Sequence, residues 1–152
     1  MLTAKGKYGL KALLHLARLE PGELAQTSEI ASRNNIPEKF LNAILGDLRK
    51  AGFVRTKKGR GGGVCLGKPA GEIFIGSVLR LLDGPLGPMS CASFSAYRPC
   101  ADCLDVSRCA VRLLMLEVRN ATAAILDTCS LAEMANPDEA ASMADGAVLE
   151  AF

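Results

Sequence analysis

The chain has 152 residues, a formal net charge of +2, 49% hydrophobic and 22% charged side chains, the balance of a folded globular protein and not of a disordered one. Tryptophan is absent and aromatics make up 5%, so the core has to be built from Leu, Ile, Val and Ala, which favours helices. Charges interrupt every apolar run well before the ~18 residues of a membrane span, and residues 1–7 lack the apolar run and cleavage site of a secretory signal. The expectation is a cytoplasmic protein whose six cysteines serve as metal or redox groups rather than structural disulfides.

Charge is unevenly spread. Residues 1–68 hold 13 Lys or Arg against 5 Asp or Glu, a surplus of eight, whereas residues 69–152 hold 5 against 11. A basic amino-terminal module joined to an acidic one suggests that the first part meets a polyanion. A plain solvated surface is the alternative.

In chain order, apolar spacing predicts a helix over residues 4–19, ended by Pro21-Gly22. Thr27 or Ser28 caps a second short helix with Ile30 and Ala31 turned inward, and Asn34-Asn35 make a turn. Pro37 takes the first position of a third helix, whose inner face is Phe40, Leu41, Ile44, Leu45 and Leu48, closed by Gly52. Two short helices about a tight turn, the second amphipathic, make a helix-turn-helix. Facing outward on the second are Glu38, Lys39, Asn42, Ala43, Gly46, Arg49 and Lys50. A recognition helix reads bases with its N-terminal turns, which assigns Lys39 and Asn42 to base edges and Arg49 and Lys50 to phosphates. Ser28 joins them as a candidate DNA contact at the start of the preceding helix.

Residues 53–56 and 64–66 read as two strands joined by a loop rich in glycine, with Arg55, Lys57, Lys58 and Arg60 before or within it. The loop lacks the Gly-Lys-Ser/Thr ending of a nucleotide-binding loop and opens no helix. A basic hairpin after a helix-turn-helix is the wing of a winged-helix DNA binder, with Lys57, Lys58 and Arg60 as its DNA contacts.

A helix over residues 76–83 follows, terminated by Gly84. Beyond it the chain turns irregular and gathers Cys91, Cys100, Cys103 and Cys109 in the spacing Cys-x8-Cys-x2-Cys-x5-Cys. Such spacing gathers sulfur ligands for one metal centre, and zinc, an iron–sulfur cluster and a dithiol switch all remain open. Residues 106–127 predict a long helix in which Val111, Leu114, Val118, Ala121 and Ile125 repeat at three and four, a heptad seam suited to a dimer interface. Leu113, Leu116 and Ala124 add a second face toward the chain's own domain. Beyond Leu131, Glu133, Asp138, Glu139, Asp145 and Glu150 stand without a base, and a flexible acidic tail is expected.

The order of parts resembles the Rrf2 family of winged-helix transcriptional regulators. The likeness runs over residues 2–134 and is carried by Lys7-Tyr8-Gly9-Leu10-Lys11-Ala12-Leu13, by Phe40-Leu41 through Leu48-Arg49-Lys50-Ala51-Gly52, and by Gly59-Arg60-Gly61-Gly62-Gly63. It continues through Asp83-Gly84, the cysteine segment and Glu117-Val118-Arg119-Asn120-Ala121. The cysteine segment is similar to that of the family's cluster-binding branch, which includes IscR, NsrR and RirA. The resemblance implies a homodimer reading a palindromic operator in double-stranded DNA, with an iron–sulfur cluster beside the dimer helix, 2Fe–2S favoured, 4Fe–4S and zinc as alternatives. It also implies that Cys91, Cys103 and Cys109 are ligands. Where some members use a His or an acidic residue as the fourth, this chain has Arg112 and Lys7, which leaves Cys100 as the substitute; His15 is a weaker candidate, and Cys65 and Cys129 read as packing residues.

The resulting expectation is a mainly helical fold with a β-hairpin wing. Residues 1–84 form the winged helix-turn-helix, 85–104 the cysteine-rich loop, 105–131 the dimerisation helix and 132–152 the tail. The function expected is a repressor whose cluster senses redox state, nitric oxide or iron. The alternative is a cluster-free regulator of the same fold, controlled by thiol oxidation, zinc or a protein partner. An enzyme, a membrane partner and a small-molecule substrate are not expected.

Overall fold

In the computed structural model, which describes residues 2–136 and Asp138, the elements run α1 (Ala4–Ala17), α2 (Thr27–Asn34), α3 (Glu38–Lys50), β1 (Val54–Lys57), β2 (Gly63–Leu66), α4 (Ile75–Leu82), α5 (Ala110–Thr128) and α6 (Leu131–Ala135). One aliphatic core joins α1 to α4, the hairpin and α6. Its fully buried side chains include Leu13, Ile30, Leu41, Ile44, Leu48, Ile73, Val78 and Leu131. This is the Leu/Ile/Val core that the composition demands.

The start of α1 is tied to the end of α4. Thr3 caps α1 by accepting from the Gly6 N–H at 3.2 Å, and Asp83 accepts from the Thr3 amide at 3.0 Å and its hydroxyl at 2.5 Å. The helices approach so closely that a Cβ on Gly6 would overlap the Asp83 carboxylate, and one on Gly9 would overlap a Leu82 methyl. These glycines are there for contact, since a helix interior otherwise disfavours them.

On its other side α4 meets α5. Arg80 donates to both carboxylate oxygens of Asp127, at 2.5 and 2.8 Å, in the two-pronged geometry a guanidinium permits. Gly76 leaves room for that pair. After α5 the chain returns to the core: Ile75 N–H donates to Cys129 O at 3.0 Å and Leu131 N–H to Ile73 O at 2.7 Å. A capping box between Ser130 and Glu133 then starts α6.

β1 and β2 pair antiparallel with Val54 opposite Leu66 and Lys57 opposite Gly63. Ala25 adds a bridge to Val64 through bonds of 3.0 and 2.8 Å, so the segment before α2 acts as a third short strand.

Several sequence expectations change. Phe40 points outward and is 63% exposed, because the inner side of α3 is filled by Leu41, Ile44, Leu45 and Leu48. Pro37 is the N-cap of α3, not its first helical residue. Neither Thr27 nor Ser28 caps α2; Gln26 holds that place, and its side chain bonds the Gly62 carbonyl instead. The long helix begins at Ala110, since residues 106–108 form one 3-10 turn in which the Asp105 carboxylate accepts from Ser107. The face of α5 toward its own domain is made by Ala123 and Leu126, while Leu113 and Ala124 are exposed. Residues 132–135 of the expected tail belong to α6, which docks on the core through Leu131; residues 139–152 lie outside the described residues.

Gly9→Ala overpacks the α1–α4 contact and is expected to lose about 1–3 kcal/mol in urea unfolding. Gly46→Ala, where a Cβ meets nothing within 4 Å, is expected to be neutral or to gain up to about 1 kcal/mol. The Asp127 carboxyl is held below the usual aspartate range by its bond from Arg80. Because folding lowers this pKa, the pair stabilises above the unfolded value, and its contribution fades as pH falls through the folded one. With side chains 32% and 45% exposed it belongs among surface pairs, worth about 0–1 kcal/mol. The stability gap between wild type and Asp127→Asn is therefore expected to be flat near neutral pH and to close below about pH 4, read by urea unfolding across a pH series.

Candidate nucleic-acid interface and metal centre

The outer face of α3 and the hairpin lie side by side. A cavity of about 200 Å³ between them is lined by Thr27, Asn42, Leu45, Gly46, Arg49, Thr56 and Val64. The pairing of Ala25 with Val64 sets this spacing, by fixing the start of α2 to β2. Lys39, Asn42, Arg49 and Lys50 are all exposed along α3, and Ser28 is exposed on α2. Thr27 and Thr56, which reach the cavity beside Asn42, had no marker in the sequence, because a long-range bridge brings them there.

The connection between the strands is shaped by its glycines. Gly59 and Gly61 adopt φ of 90° and 73°, and a Cβ on Gly62 would strike the Lys57 carbonyl. The loop is therefore thin, with Lys57, Lys58 and Arg60 exposed around it. Among the described residues the ion pairs are Lys5–Asp47, Glu29–Arg33 and Arg80–Asp127, so none of the cations of α3 or the hairpin is neutralised by an internal partner. Of the two acids on α3, Glu38 is exposed, while Asp47 is held by Lys5 at 2.8 Å, and this bond keeps its carboxyl below the ordinary value. The face offered outward is strongly positive.

Two other polar groups are spent on structure. Lys11 donates to the Asn34 carbonyl at the end of α2. His15 accepts at Nδ1 from the Asn34 amide at 3.1 Å, which anchors the helix-turn-helix and removes it from the cysteine region.

The cysteine segment packs against the first half of α5. Arg112 Nε donates to the Cys91 carbonyl at 2.9 Å, and Arg119 stacks on the Phe94 ring at 4.0 Å from its centroid. Cys100 Sγ, an Asp102 carboxylate oxygen and Cys103 Sγ lie within 4.8 Å of one another. Cys100 donates to Asp102 at 2.8 Å, which raises the thiol and lowers the acid. Cys103 bonds first with Cys109 and then with Cys100, and is pushed up to about 12. Cys109 is the N-cap of α5, where the Arg112 backbone N–H, followed by Cys103, brings its thiol below the ordinary value. Cys100 and Cys103 thus converge with Asp102, and Cys109 neighbours Cys103 without joining that donor group. Cys91 is buried and falls outside the donor group formed by Cys100, Asp102 and Cys103.

Val111, Leu114, Val118, Ala121 and Ile125 line one side of α5 and are all exposed, Ile125 by 66%. Beside Ile125 an apolar groove of about 520 Å³ runs between Leu2, Leu10, Leu79, Leu86 and Leu126. No helix among the described residues is long and apolar enough to cross a membrane.

Comparison with known proteins matches residues 2–137 to the family model Rrf2, described as iron-dependent transcriptional regulator. The HTH-type transcriptional regulator rrf2-like of Rhodobacter capsulatus is 42% identical over 137 residues, which cover 88% of this chain and 91% of that protein. Among solved structures, CymR, the global cysteine regulator of B. subtilis, is similar with a TM-score of 0.74 at 30% identity, covering 89% of this chain and 95% of that one. The IscR of T. potens is similar with a TM-score of 0.70 at 25% identity, covering 88% and 85%.

Proposed function

This chain belongs to the Rrf2 family of transcriptional regulators, not enzymes, and from that premise we propose that it is a homodimeric repressor of double-stranded operator DNA governed by an iron–sulfur centre. The observation that carries the reading is the gathering of Cys100 and Cys103 beside Asp102, with Cys109 at the N-cap of the helix that bears the exposed apolar stripe. Three soft sulfur donors in a half-exposed site suit an iron–sulfur cluster, of 2Fe–2S type in the first instance. When bound, such a cluster supplies iron chemistry that responds to oxidants, nitric oxide or iron supply.

The rest is done by the chain's own residues. Lys39 and Asn42 read base edges from the first turns of α3, while Ser28, Arg49, Lys50, Lys57, Lys58 and Arg60 meet phosphates or the minor groove. Val111, Leu114, Val118, Ala121 and Ile125 pack on the same residues of a second copy, so two recognition helices face a palindrome. Arg112 and Arg119 join the cysteine segment to α5, and Arg80–Asp127 joins α5 to α4. Asp83 then joins α4 to α1, and Lys5–Asp47 joins α1 to the recognition helix. A change beside Cys109 therefore has a contiguous path to the DNA-reading face. It needs to bias one dimer geometry by only about 1–3 kcal/mol to act as a switch.

The likeness to CymR favours a second reading, in which the same dimer reads DNA without a cluster and responds to thiol oxidation or a partner protein. Anaerobic purification and reconstitution with iron and sulfide separates the two. A visible charge-transfer spectrum that bleaches with air or nitric oxide, with matching loss of operator affinity, is expected; a wild type that stays colourless establishes the second reading, in its partner-controlled form where the combined Cys91→Ala, Cys103→Ala, Cys109→Ala variant keeps normal regulation and in its thiol-oxidation form where that variant loses it.

For the DNA face, Arg60→Ala is expected to weaken binding on all sequences and to make the log–log salt slope shallower by about 0.9 for each phosphate left without its cation. Lys39→Ala and Asn42→Ala are expected to lose about 1–3 kcal/mol of discrimination at the bases they read, measured as operator against scrambled duplex. Equal losses on both duplexes would remove these two from base readout.

A further inference from the structure

We infer that Gly46 opens a seat for one backbone phosphate of the duplex, walled by Thr27, Arg49 and Thr56, in the gap between α3 and the hairpin. This rests on the DNA-binding reading above and deepens it, by placing the strand that separates the two grooves and adding two threonines to the contact.

Gly46 is a glycine that the chain's own packing leaves unexplained. Among the described residues four glycines lie within α-helices. On Gly6, Gly9 and Gly76 a Cβ would overlap a neighbouring side chain, whereas on Gly46 it meets nothing within 4 Å. The backbone at Gly46 is ordinary helix with no positive φ, and a helix interior disfavours glycine. Backbone left bare in this way suits close approach by a group from outside the chain.

The surroundings identify that group as an oxyanion. Asn42, Gly46 and Arg49 follow one another at the spacing of successive helical turns along the side of α3 turned to the hairpin, and Gly46 is the gap in the row. Across from them Thr56 pairs with Val64, so their side chains share a face of the hairpin, and Val64 bridges to Ala25, two residues before Thr27. These pairings hold both threonines at the cavity of about 200 Å³, whose lining contains no carboxylate. The hydroxyls of Thr122 and Thr128 return to carbonyls of their own helix, but those of Thr27 and Thr56 have no partner among the described residues. Arg49 likewise has no ion-pair partner there. Two uncommitted hydroxyls and a guanidinium beside bare backbone are donors suited to a phosphate.

DNA geometry brings a phosphate to this place. A sugar–phosphate strand separates the major groove from the minor. With α3 in the major groove and the thin basic loop of the hairpin reaching toward the minor one, that strand crosses between them, over Gly46. A methyl group there would stand where the strand touches the helix.

The test titrates the full-length protein against a mixed-sequence duplex of about three helical turns, read by fluorescence anisotropy over a series of salt concentrations. A phosphate contact needs no particular sequence. Gly46→Ala, with its fold as firm as wild type in urea, is expected to bind at least about tenfold more weakly. Its log–log salt slope is expected to be shallower by about 0.9 for each phosphate that Arg49 no longer reaches. Arg49→Ala is expected to show the same change of slope and to cost little more when added to Gly46→Ala, because both empty one seat. Thr27→Val and Thr56→Val remove a hydroxyl and no charge, so each is expected to lose about tenfold in affinity with the slope unchanged.

Gly46→Ala that binds as wild type does, full additivity of Gly46→Ala with Arg49→Ala, or unaltered affinity in both threonine variants overturns the seat and leaves the DNA reading intact. A wild type that binds no duplex at any salt concentration overturns both.

Discussion

The arrangement depends on how tightly α4 is gripped from both sides. One face meets α1 at glycines, where Leu82 and Asp83 occupy the space that side chains on Gly9 and Gly6 would fill. The other meets α5 through Gly76 and the two-pronged Arg80–Asp127 pair. Close packing without slack transmits displacement in place of absorbing it. An eight-residue helix thus couples the DNA-facing module to the helix that starts in the cysteine segment.

Electrostatics divides the molecule along the same line. The cations of α3 and the hairpin have no ion-pair partners among the described residues, while Asp47 on α3 is occupied by Lys5. Farther along the chain, acids are used as local ligands of the fold: Asp83 for Thr3, Asp105 for Ser107, Asp127 for Arg80 and Glu133 for Ser130. Positive charge left open at one end and negative charge consumed at the other explain why a net charge of only +2 coexists with a strongly basic face.

Much of the fold was legible because its signals are local. Apolar spacing located the helices to within a turn, the glycine and lysine loop marked the hairpin, and the heptad stripe on α5 is exposed as its pattern suggested. The misses have long-range causes. Phe40 reads as core from its neighbours, but the inner face of α3 had no further room. Thr27 lost its capping role because Gln26 and Ala25 are drawn to the hairpin, a pairing across some 36 residues. Cysteine spacing marked the segment in which Cys100 and Cys103 lie beside Asp102, but not the Arg112 bond that seats Cys91 against α5 from 21 residues away.

The exposure of α5 away from α4 has a consequence of its own. Of its 19 residues Ala123 alone is buried, so beyond its contacts with α4 and the cysteine segment little within one chain holds it helical, and a helix of that length is marginal in water by itself. In the homodimer proposed above, ordering of this helix and pairing of two copies become one equilibrium, governed by mass action. Abundance of the polypeptide would then enter that proposed response as a second input: scarce chains would leave the helix frayed and the operator unoccupied, whatever the chemistry at its tip.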